Sequence, residues 1–255
     1  QRQAGRFRDG ARRRRQAVDG RRRALGEADD LGLRRAGHAP AARRLRAGRR
    51  QRADPDHRGG DRKERARRQP FAEEGARLLL CARRIERLNE LAAELAKEHP
   101  GRPIHVFQLD VRDRRSVEDA LASLPEAWRA VDVLVNNAGL SRGLDTLQDG
   151  LIEDWEEMLD TNVKGLLYVT RALVPGMIER GRGHIINVGS IAGHEVYPKG
   201  NVYCASKHAV DAITKGLRLD VVNTPLRVTT IDPGLVETEF SVVRFHGDSE
   251  RAGTV

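Results

Sequence analysis

Tyr203 and Lys207 are the residues of this 255-residue chain whose types and spacing best suit chemistry. They lie four positions apart, so on a helix they stand one turn apart on the same face. A free tyrosine titrates near pH ~10 and exchanges protons poorly at neutral pH, whereas a neighbouring ammonium group favours its phenolate. The pair therefore predicts a phenol used for proton transfer, with its pKa lowered by Lys207. A surface Tyr–Lys pair without function would have the same spacing.

Ser190 favours the functional interpretation of this pair. It follows the apolar run 184–188, which is typical of a buried parallel strand. Open α/β sheets place their chemistry beyond the C-terminal ends of such strands. A hydroxyl there can hold a carbonyl oxygen while the phenol gives or takes its proton. The three side chains together predict a site for a reaction at a carbonyl or carbinol group.

The net charge of +9 is confined to one end of the chain, which weakens the case for a nucleic-acid-binding domain. Residues 1–70 hold 23 Arg, one Lys and nine acidic residues and carry a net charge of +15, so residues 71–255 carry −6. Cys81 and Cys204 have no metal-binding or redox spacing, which favours a reducing, cytoplasmic compartment. No apolar stretch reaches the roughly 18 residues of a membrane span, so no membrane partner is expected.

Residues 1–70 lack the composition of a folding sequence, because they contain one aromatic residue and no sustained hydrophobic period. Two explanations stay open: an arginine-rich nucleic-acid-binding arm, or GC-rich coding DNA read out of frame. Moving the frame of residues 53–62 forward by one base permits Leu-Ile-Leu-Ile-Thr-Gly-Ala-Ala-Thr-Gly, a buried strand running into a glycine turn. We therefore expect residues 1–52 to be non-globular and residues 53–255 to be one domain, whose first βα unit is corrupted at 53–70.

From residue 71 onward the sequence alternates between strand and helix patterns. Helical spacing predicts helices at 85–99, from a cap at Ser116, at 152–177, and around Tyr203 and Lys207. Apolar runs predict strands at 77–82, 104–109, 131–135, 184–188 and 226–231. This alternation predicts an α/β fold with right-handed crossovers, namely a doubly wound, Rossmann-type parallel sheet with helices on both faces.

Charged residues at two strand ends predict a dinucleotide site. Arg83 and Arg84 follow the strand at 77–82, where an arginine accommodates the 2′-phosphate of NADP. A solvated charge pair at a strand end is the alternative. Asp110, followed by Val111, ends the next strand, where a carboxylate can accept a hydrogen bond from the adenine amino group or cap a helix instead.

Small and polar residues continue this pattern further along the chain. Asn137, Ala138 and Gly139 follow a buried strand, and small residues there let the backbone approach a ligand closely. Asn162 is a poor helix former inside a predicted helix. It predicts a local distortion that holds a water near Lys207, although an exposed asparagine tolerated in a helix is the alternative.

The turn after the last predicted strand suits a cofactor amide. Pro233 and Gly234, with Thr238, would bring backbone donors toward a nicotinamide group, although a Pro-Gly turn is weak evidence alone. Three histidines lack metal-ligand spacing and are interpreted as structural: His184, His194 and His208.

In order and spacing, these motifs resemble the short-chain dehydrogenase/reductase family over residues 71–255: Asn136-Asn137-Ala138-Gly139, Asn162, Ser190, Tyr203-x-x-x-Lys207 and Pro233-Gly234. The resemblance implies that Tyr203 is the general acid/base and that Ser190 orients the substrate oxygen. It also implies that Lys207 binds the nicotinamide ribose and that Asn162 completes a proton relay. The implied NADP-binding residues are Arg83, Arg84, Asp110, Val111, Asn137, Ala138, Gly139, Tyr203, Lys207, Pro233, Gly234, Val236 and Thr238.

Residues 233–248 resemble more narrowly the NADP-dependent 3-hydroxy acid dehydrogenases of the serine or allo-threonine type. That resemblance implies hydride transfer between NADP(H) and a small hydroxy acid, in a cytoplasmic homo-oligomer such as a tetramer. It makes Arg244 a candidate partner for a substrate carboxylate. A general carbonyl reductase and an inactive member of the family stay open as alternatives.

Two departures from the family pattern affect these expectations. The glycine-rich TGxxxGxG turn is absent from the sequence, so we expect weak cofactor binding and poor folding. The chain also stops at Val255, where the family usually continues through another helix and strand. We expect that difference to leave the substrate pocket and one subunit interface incomplete.

Overall fold

The computed structural model describes residues 70–234, 239–248 and 250. Strands and helices alternate along these residues, as the hydrophobic pattern predicts. The strands are β1 (Leu78–Ala82), β2 (Ile104–Gln108), β3 (Val133–Asn136), β4 (His184–Val188) and β5 (Arg227–Ile231). The α-helices are α1 (Ile85–Glu98), α2 (Arg114–Ala122), α3 (Glu126–Arg129), α4 (Ile152–Leu159), α5 (Leu166–Glu179), α6 (Asn201–Asp220) and α7 (Glu239–Arg244).

Every strand pairing in this part of the chain is parallel. β1 pairs with β2 with Leu78 opposite Ile104. In the second sheet β4 lies between β3 and β5, with His184 opposite both Val133 and Arg227. The predicted α/β fold with parallel strands and crossover helices is confirmed.

The strands form two sheets, and among the described residues no strand lies between β1 and β3. A doubly wound sheet places its first strand at that position. Residues 53–62, where the sequence predicts a corrupted first strand, lie outside the described residues. Residues of β1 and β3 both line one cavity of about 1990 Å³. Val133 and Val135, which share one face of β3, are 40% and 36% exposed.

Local sequence explains where the helices begin and which faces they bury. Leu88, Leu91 and Leu95 of α1 recur at helical spacing and are buried in a cluster with residues of β1. α2 begins after Asp113, whose carboxylate accepts hydrogen bonds from two backbone N–H groups of the first turn. The prediction that Ser116 caps this helix is therefore wrong, because the capping carboxylate lies three positions earlier.

The helix predicted at 152–177 contains a break in its regular hydrogen bonding. α4 continues into a π-helix at Asp160–Gly165, which continues into α5. Such wide turns frequently occur at functional sites, and this one carries Asn162. None of the helices in the described ranges is long and apolar enough to span a membrane.

Candidate active site

Ser190 lies where β4 ends and the chain turns toward α6. It precedes a single 3₁₀ turn, Ile191–Gly193, and its Oγ accepts a hydrogen bond from the backbone N–H of Ala192 at 3.1 Å. This contact fixes the direction of the hydroxyl group. The Ser190 hydroxyl also lies close enough to Tyr203 to lower the pKa of the phenol. The serine therefore lies beside the phenol, just after the end of the strand.

Tyr203 and Lys207 occupy one face of α6, in agreement with their four-residue spacing. Both side chains are buried, and the Lys207 Nζ lies 5.9 Å from the centre of the Tyr203 ring. The same ammonium group donates a hydrogen bond of 2.9 Å to the carbonyl of Val188, the last residue of β4. This contact ties the helix to the strand end that carries Ser190.

The pKa of Tyr203 is raised above its ordinary value of 10.0, chiefly because burial penalises the phenolate. The hydrogen bond to Ser190 and the positive charge of Arg244 act in the opposite direction. The prediction that this pKa falls toward neutrality is therefore wrong for this structure. At neutral pH the site holds a protonated phenol beside a serine hydroxyl.

Asn162 is buried in the π-helix, which excludes the interpretation of an exposed, tolerated asparagine. Its Oδ1 accepts from the backbone N–H of Leu140 at 2.8 Å, and its Nδ2 donates to the Leu140 carbonyl at 2.8 Å and to Ser206 Oγ at 3.0 Å. The predicted distortion of the helix is present. The side chain joins that distortion to the loop after β3, and the proton relay stays a prediction.

Gly139 leaves space between Asn162 and Lys207. A Cβ atom at this position would lie 3.3 Å from Asn162 Oδ1 and 3.5 Å from Lys207 Nζ. A Cβ atom would therefore be tight against Asn162 and in ordinary contact with Lys207. The geometry supports the expectation that a small residue here keeps the backbone accessible.

The predicted cofactor-binding residues within the described ranges all line the large cavity. They come from the ends of four strands and from α6, which meet along the same edge of the fold: Arg83, Arg84, Asp110, Val111, Asn137, Ala138, Gly139, Tyr203, Lys207, Pro233 and Gly234. Val236 and Thr238 lie outside the described residues. The cavity exceeds an ordinary ligand pocket because it also occupies the space between β1 and β3.

Three arginines converge on Glu157 of α4 near the tip of β1. The carboxylate lies 3.4 Å from Arg83, 3.3 Å from Arg112 and 2.6 Å from Arg142. These contacts lower the pKa of Glu157, with the hydrogen bond from Arg142 as the main cause. Asp110 also pairs with Arg112, so two carboxylates face these three guanidinium groups and leave a surplus of one positive charge, which suits a phosphate group. Arg84 is exposed just before α1.

Asp110 is engaged by a neighbouring residue. The Arg112 guanidinium and backbone N–H donate to both oxygens of its carboxylate at distances of 2.6 to 3.0 Å. This contact is the main reason that the pKa of Asp110 is lowered. If Asp110 accepts a hydrogen bond from an adenine amino group, as predicted, its carboxylate would bind that group and Arg112 at the same time.

Arg244, the candidate substrate partner, lies beside the phenol. Its side chain is buried, and it donates from Nε to Ser141 Oγ at 2.9 Å and from Nη2 to Tyr197 Oη at 2.6 Å. The guanidinium carbon is 5.7 Å from the centre of the Tyr203 ring. Sequence reasoning missed Ser141 and Tyr197, although Ser141 follows the predicted Asn-Asn-Ala-Gly turn by two positions.

Comparison with known proteins identifies the family to which this site belongs. Residues 65–248 match the family model described as short chain dehydrogenase. The chain belongs to the short-chain dehydrogenase family. The family predicted from the strand-end and Tyr-x-x-x-Lys motifs is confirmed.

Three relatives place the chain more narrowly within the short-chain dehydrogenases. It is 53% identical to the NADP-dependent 3-hydroxy acid dehydrogenase YdfG of Salmonella typhi over 184 aligned residues. The alignment covers 72% of each chain. It is 48% identical over 179 residues to sulfoacetaldehyde reductase 2 of Chromohalobacter salexigens, covering 70% of each. The structure resembles the closed form of a serine dehydrogenase complexed with NADP+, with 48% identity, a TM-score of 0.71 and 77% of each chain covered.

Proposed function

We propose that this short-chain dehydrogenase transfers a hydride between NADP(H) and a small 3-hydroxy acid. The observation that carries the proposal is the burial of Tyr203 and Lys207 on one face of α6, with the Lys207 ammonium bonded to Val188, two residues before Ser190. The named activities of its relatives, a 3-hydroxy acid dehydrogenase and a serine dehydrogenase, support the same reaction. They agree with the reaction and cofactor predicted from the sequence.

The described residues fit an NADP-type cofactor. Arg83 and Arg84 lie at the tip of β1 in a region of positive surplus, where they would bind the 2′-phosphate. Gly139 provides space beside Lys207, which would bind the nicotinamide ribose. When bound, this cofactor supplies or accepts the hydride.

The side chains of the chain itself would handle the oxygen of the substrate. Ser190 would hold that oxygen by its hydroxyl group, whose direction is already fixed by the Ala192 N–H. Tyr203 would donate its proton to the oxygen when a carbonyl is reduced, since its raised pKa keeps the phenol protonated at neutral pH. For oxidation of the alcohol Tyr203 must first lose its proton, so we expect oxidation to accelerate as pH rises toward the pKa of Tyr203.

NADPH binding tests the proposal directly. We would titrate the chain as it stands, and a version carrying Leu-Ile-Leu-Ile-Thr-Gly-Ala-Ala-Thr-Gly in place of residues 53–62. Binding confined to the corrected version supports both the cofactor assignment and the out-of-frame hypothesis. Equal, tight binding by both contradicts the out-of-frame hypothesis, and binding by neither contradicts the NADP assignment.

Substrate trials then separate the candidate reactions. We expect oxidation of 3-hydroxyisobutyrate or serine with NADP, and much slower reduction of neutral ketones with NADPH. A preference for neutral ketones would favour a general carbonyl reductase instead. The sulfoacetaldehyde reductase among the relatives favours a second candidate class, small sulfonates, which the same assay covers.

We further propose that the protein acts as a cytoplasmic homo-oligomer, specifically a tetramer. The proposal rests on the family resemblance and on the reducing compartment that the cysteine pattern favours. Light scattering coupled to size-exclusion chromatography measures the assembly. A monomer at micromolar concentration would contradict it.

A further inference from the structure

His246 ends helix α7 in a backbone conformation that usually belongs to glycine. Its φ is +54°, in the left-handed region that a residue with a Cβ atom adopts at a cost in energy. The N–H of His246 donates to the Val243 carbonyl at 3.3 Å, and the N–H of Gly247 donates to the Val242 carbonyl at 2.9 Å. These two bonds form the Schellman turn that closes many helices, and glycine is the most common residue at the position of His246. A histidine there directs attention to the contacts of its side chain.

The imidazole of His246 contacts one buried carboxylate. Its Nε2 lies 3.0 Å from Oδ1 of Asp154, which is in the first turn of α4. The side chain of Asp154 is 10% exposed, whereas that of His246 is 58% exposed. Within the described ranges, no other side chain forms a hydrogen bond or ion pair with this carboxylate. A buried carboxylate needs a donor, so the contact with His246 links the end of α7 to α4.

Other contacts at this end of α7 go to the loop after β3. The Gly143 N–H donates to the Arg244 carbonyl at 3.0 Å, and the Arg142 side chain donates to the Val243 carbonyl. The His246 side chain reaches α4 instead, so α7 is held by two separate parts of the fold.

Both helices that this contact joins contribute to the surroundings of the phenol. Phe240 of α7 packs edge-on to the Tyr203 ring, with the ring centres 5.7 Å apart. Trp155, the residue after Asp154 in α4, packs against the apolar cluster that contains Tyr203. A change in how α7 sits on α4 would therefore alter the packing around the catalytic tyrosine.

We propose that His246 and Asp154 are positioning residues that hold α7 against α4 and thereby keep one side of the Tyr203 ring enclosed. They act through Phe240, which packs on that ring. Excluding water from the site strengthens the hydrogen bonds that hold the substrate oxygen. The left-handed backbone of His246 places the imidazole where it reaches Asp154. The inference rests on the proposed dehydrogenase function and adds two residues that act on its substrate site.

Quenching of Trp155 fluorescence by acrylamide tests the contact without substrate or cofactor. Trp128 is the only other tryptophan of the chain, so Trp128→Phe leaves Trp155 as the reporter. In this background, His246→Gly removes the imidazole and also relieves the left-handed backbone, so the variant should fold. We expect the quenching constant to rise about twofold, because α7 packs less steadily beside the reporter. The measurement uses the chain as it stands and the version corrected at 53–62.

Glu153→Gln is the matched control for this measurement. Glu153 is an exposed acidic residue in the same turn of α4, so its substitution should leave the quenching constant unchanged. Asp154→Ala should raise the constant as His246→Gly does, and the double variant should rise no further than the larger single effect. Additive effects, or equal quenching in the reporter background with and without His246→Gly, would overturn the inference.

Kinetics connect the contact with the proposed reaction. We expect His246→Gly to raise KM for 3-hydroxyisobutyrate about 5- to 10-fold and to change kcat and NADPH affinity by less than about threefold, because the residues that do the chemistry stay in place. A rise in quenching with an unchanged KM would overturn the positioning role. If the wild type oxidises no hydroxy acid, the proposed function is wrong, while the quenching cycle still decides whether His246 and Asp154 hold α7.

Discussion

Two opposing effects set the proton affinity of Tyr203. Burial raises the pKa of the phenol, while the Ser190 hydrogen bond and the Arg244 charge lower it. Removing either neighbour should therefore make the phenolate harder to form. The serine thus has two roles in the proposed reaction, since it holds the substrate oxygen and also limits how far burial raises the pKa.

Ser190→Ala separates these two roles. We expect kcat to fall by roughly 10²–10⁴, because a group that assists proton transfer is lost. We also expect the Tyr203 limb of the pH–rate profile for oxidation to move to higher pH, because the variant lacks a contact that lowers this pKa. Ser123→Ala, at the exposed end of α2, is the control. A limb that stays in place or moves to lower pH would contradict the coupling of Ser190 to Tyr203.

Arg84→Ser tests the NADP preference. Loss of a guanidinium from the proposed 2′-phosphate site should weaken NADPH binding by about 10- to 100-fold and leave NADH binding unchanged. Fluorescence titration with each cofactor measures the difference. Arg115→Ser, on the exposed face of α2, should affect neither cofactor. An equal loss of affinity for NADPH and NADH would show that Arg84 supports the fold and does not contact the 2′-phosphate.

Residue types and local periodicity were enough to find part of this site. Ser190, Tyr203 and Lys207 could be predicted because a strand end and one turn of helix fix their relative positions. Glu157 and Tyr197 could not, because their contacts with Arg83 and Arg244 join elements that are distant in sequence. The Tyr203 pKa was mispredicted because burial depends on tertiary packing, which spacing does not report.

Glu157 joins α4 to three loops that follow strands. Its carboxylate contacts Arg83 after β1, Arg112 after β2 and Arg142 after β3. One side chain thus links three strand ends to a single helix. Its lowered pKa means that these contacts favour the ionised form in the folded protein.

Glu157→Gln should therefore destabilise the protein in a pH-dependent way. Because the folded pKa lies below the ordinary value of 4.5, the carboxylate stabilises the fold above that pH. The stabilisation is lost as pH falls through the lowered folded pKa. We expect a loss of about 1–3 kcal/mol near neutral pH, since hydrogen bonds to a charged group are removed. Urea unfolding between pH 7 and pH 3, in steps of about one unit, measures this.

The control for this experiment is Glu118→Gln. Glu118 pairs with Arg114 on the exposed surface of α2, with side chains 49% and 68% exposed. Such pairs contribute little, so the control should change stability by less than about 1 kcal/mol. A Glu157 effect that persists unchanged at the lowest pH would contradict the electrostatic explanation.

Hydrophobic patterns predicted which strands and helices are present better than the residues at which the helices begin or change geometry. All five strands lie within one or two residues of the predicted runs. The start of α2 was misplaced, since Asp113 and Ser116 are both good capping residues and only backbone geometry chooses between them. The π-helix was anticipated as a distortion at Asn162, but its extent depends on contacts with the loop after β3.

The strands within residues 70–234 form two sheets. Among these strands, β1 and β3 each have one edge without a pairing partner, and both line the same cavity. The backbone N–H and C=O groups along each edge can form hydrogen bonds with a further strand. One parallel strand between β1 and β3 would pair with both edges.

Correcting residues 53–62 to the apolar, glycine-ended stretch should supply this strand. We expect the melting temperature to rise by about 5–10 °C, because the newly paired backbone and the apolar side chains of the added strand contribute stability. Calorimetry on the chain as it stands and on the corrected version gives the comparison. A version carrying the same ten residues in scrambled order is the control. Equal melting temperatures for the corrected and scrambled versions would contradict the assignment of this segment to the sheet.

The two sheets pack on separate apolar clusters, so local unfolding can affect one sheet without the other. The cluster around Leu88 and Leu95 packs on β1, whereas that around Met177 and Ile185 packs on β3, β4 and β5. A two-stranded sheet is only marginally stable on its own. The β1–β2 sheet should therefore unfold locally while the β3–β4–β5 sheet stays folded. In deuterated water the amides of β1 and β2 would then exchange well before those of β4. Unfolding would therefore begin at the part of the fold that carries Arg83 and Arg84, the proposed 2′-phosphate ligands.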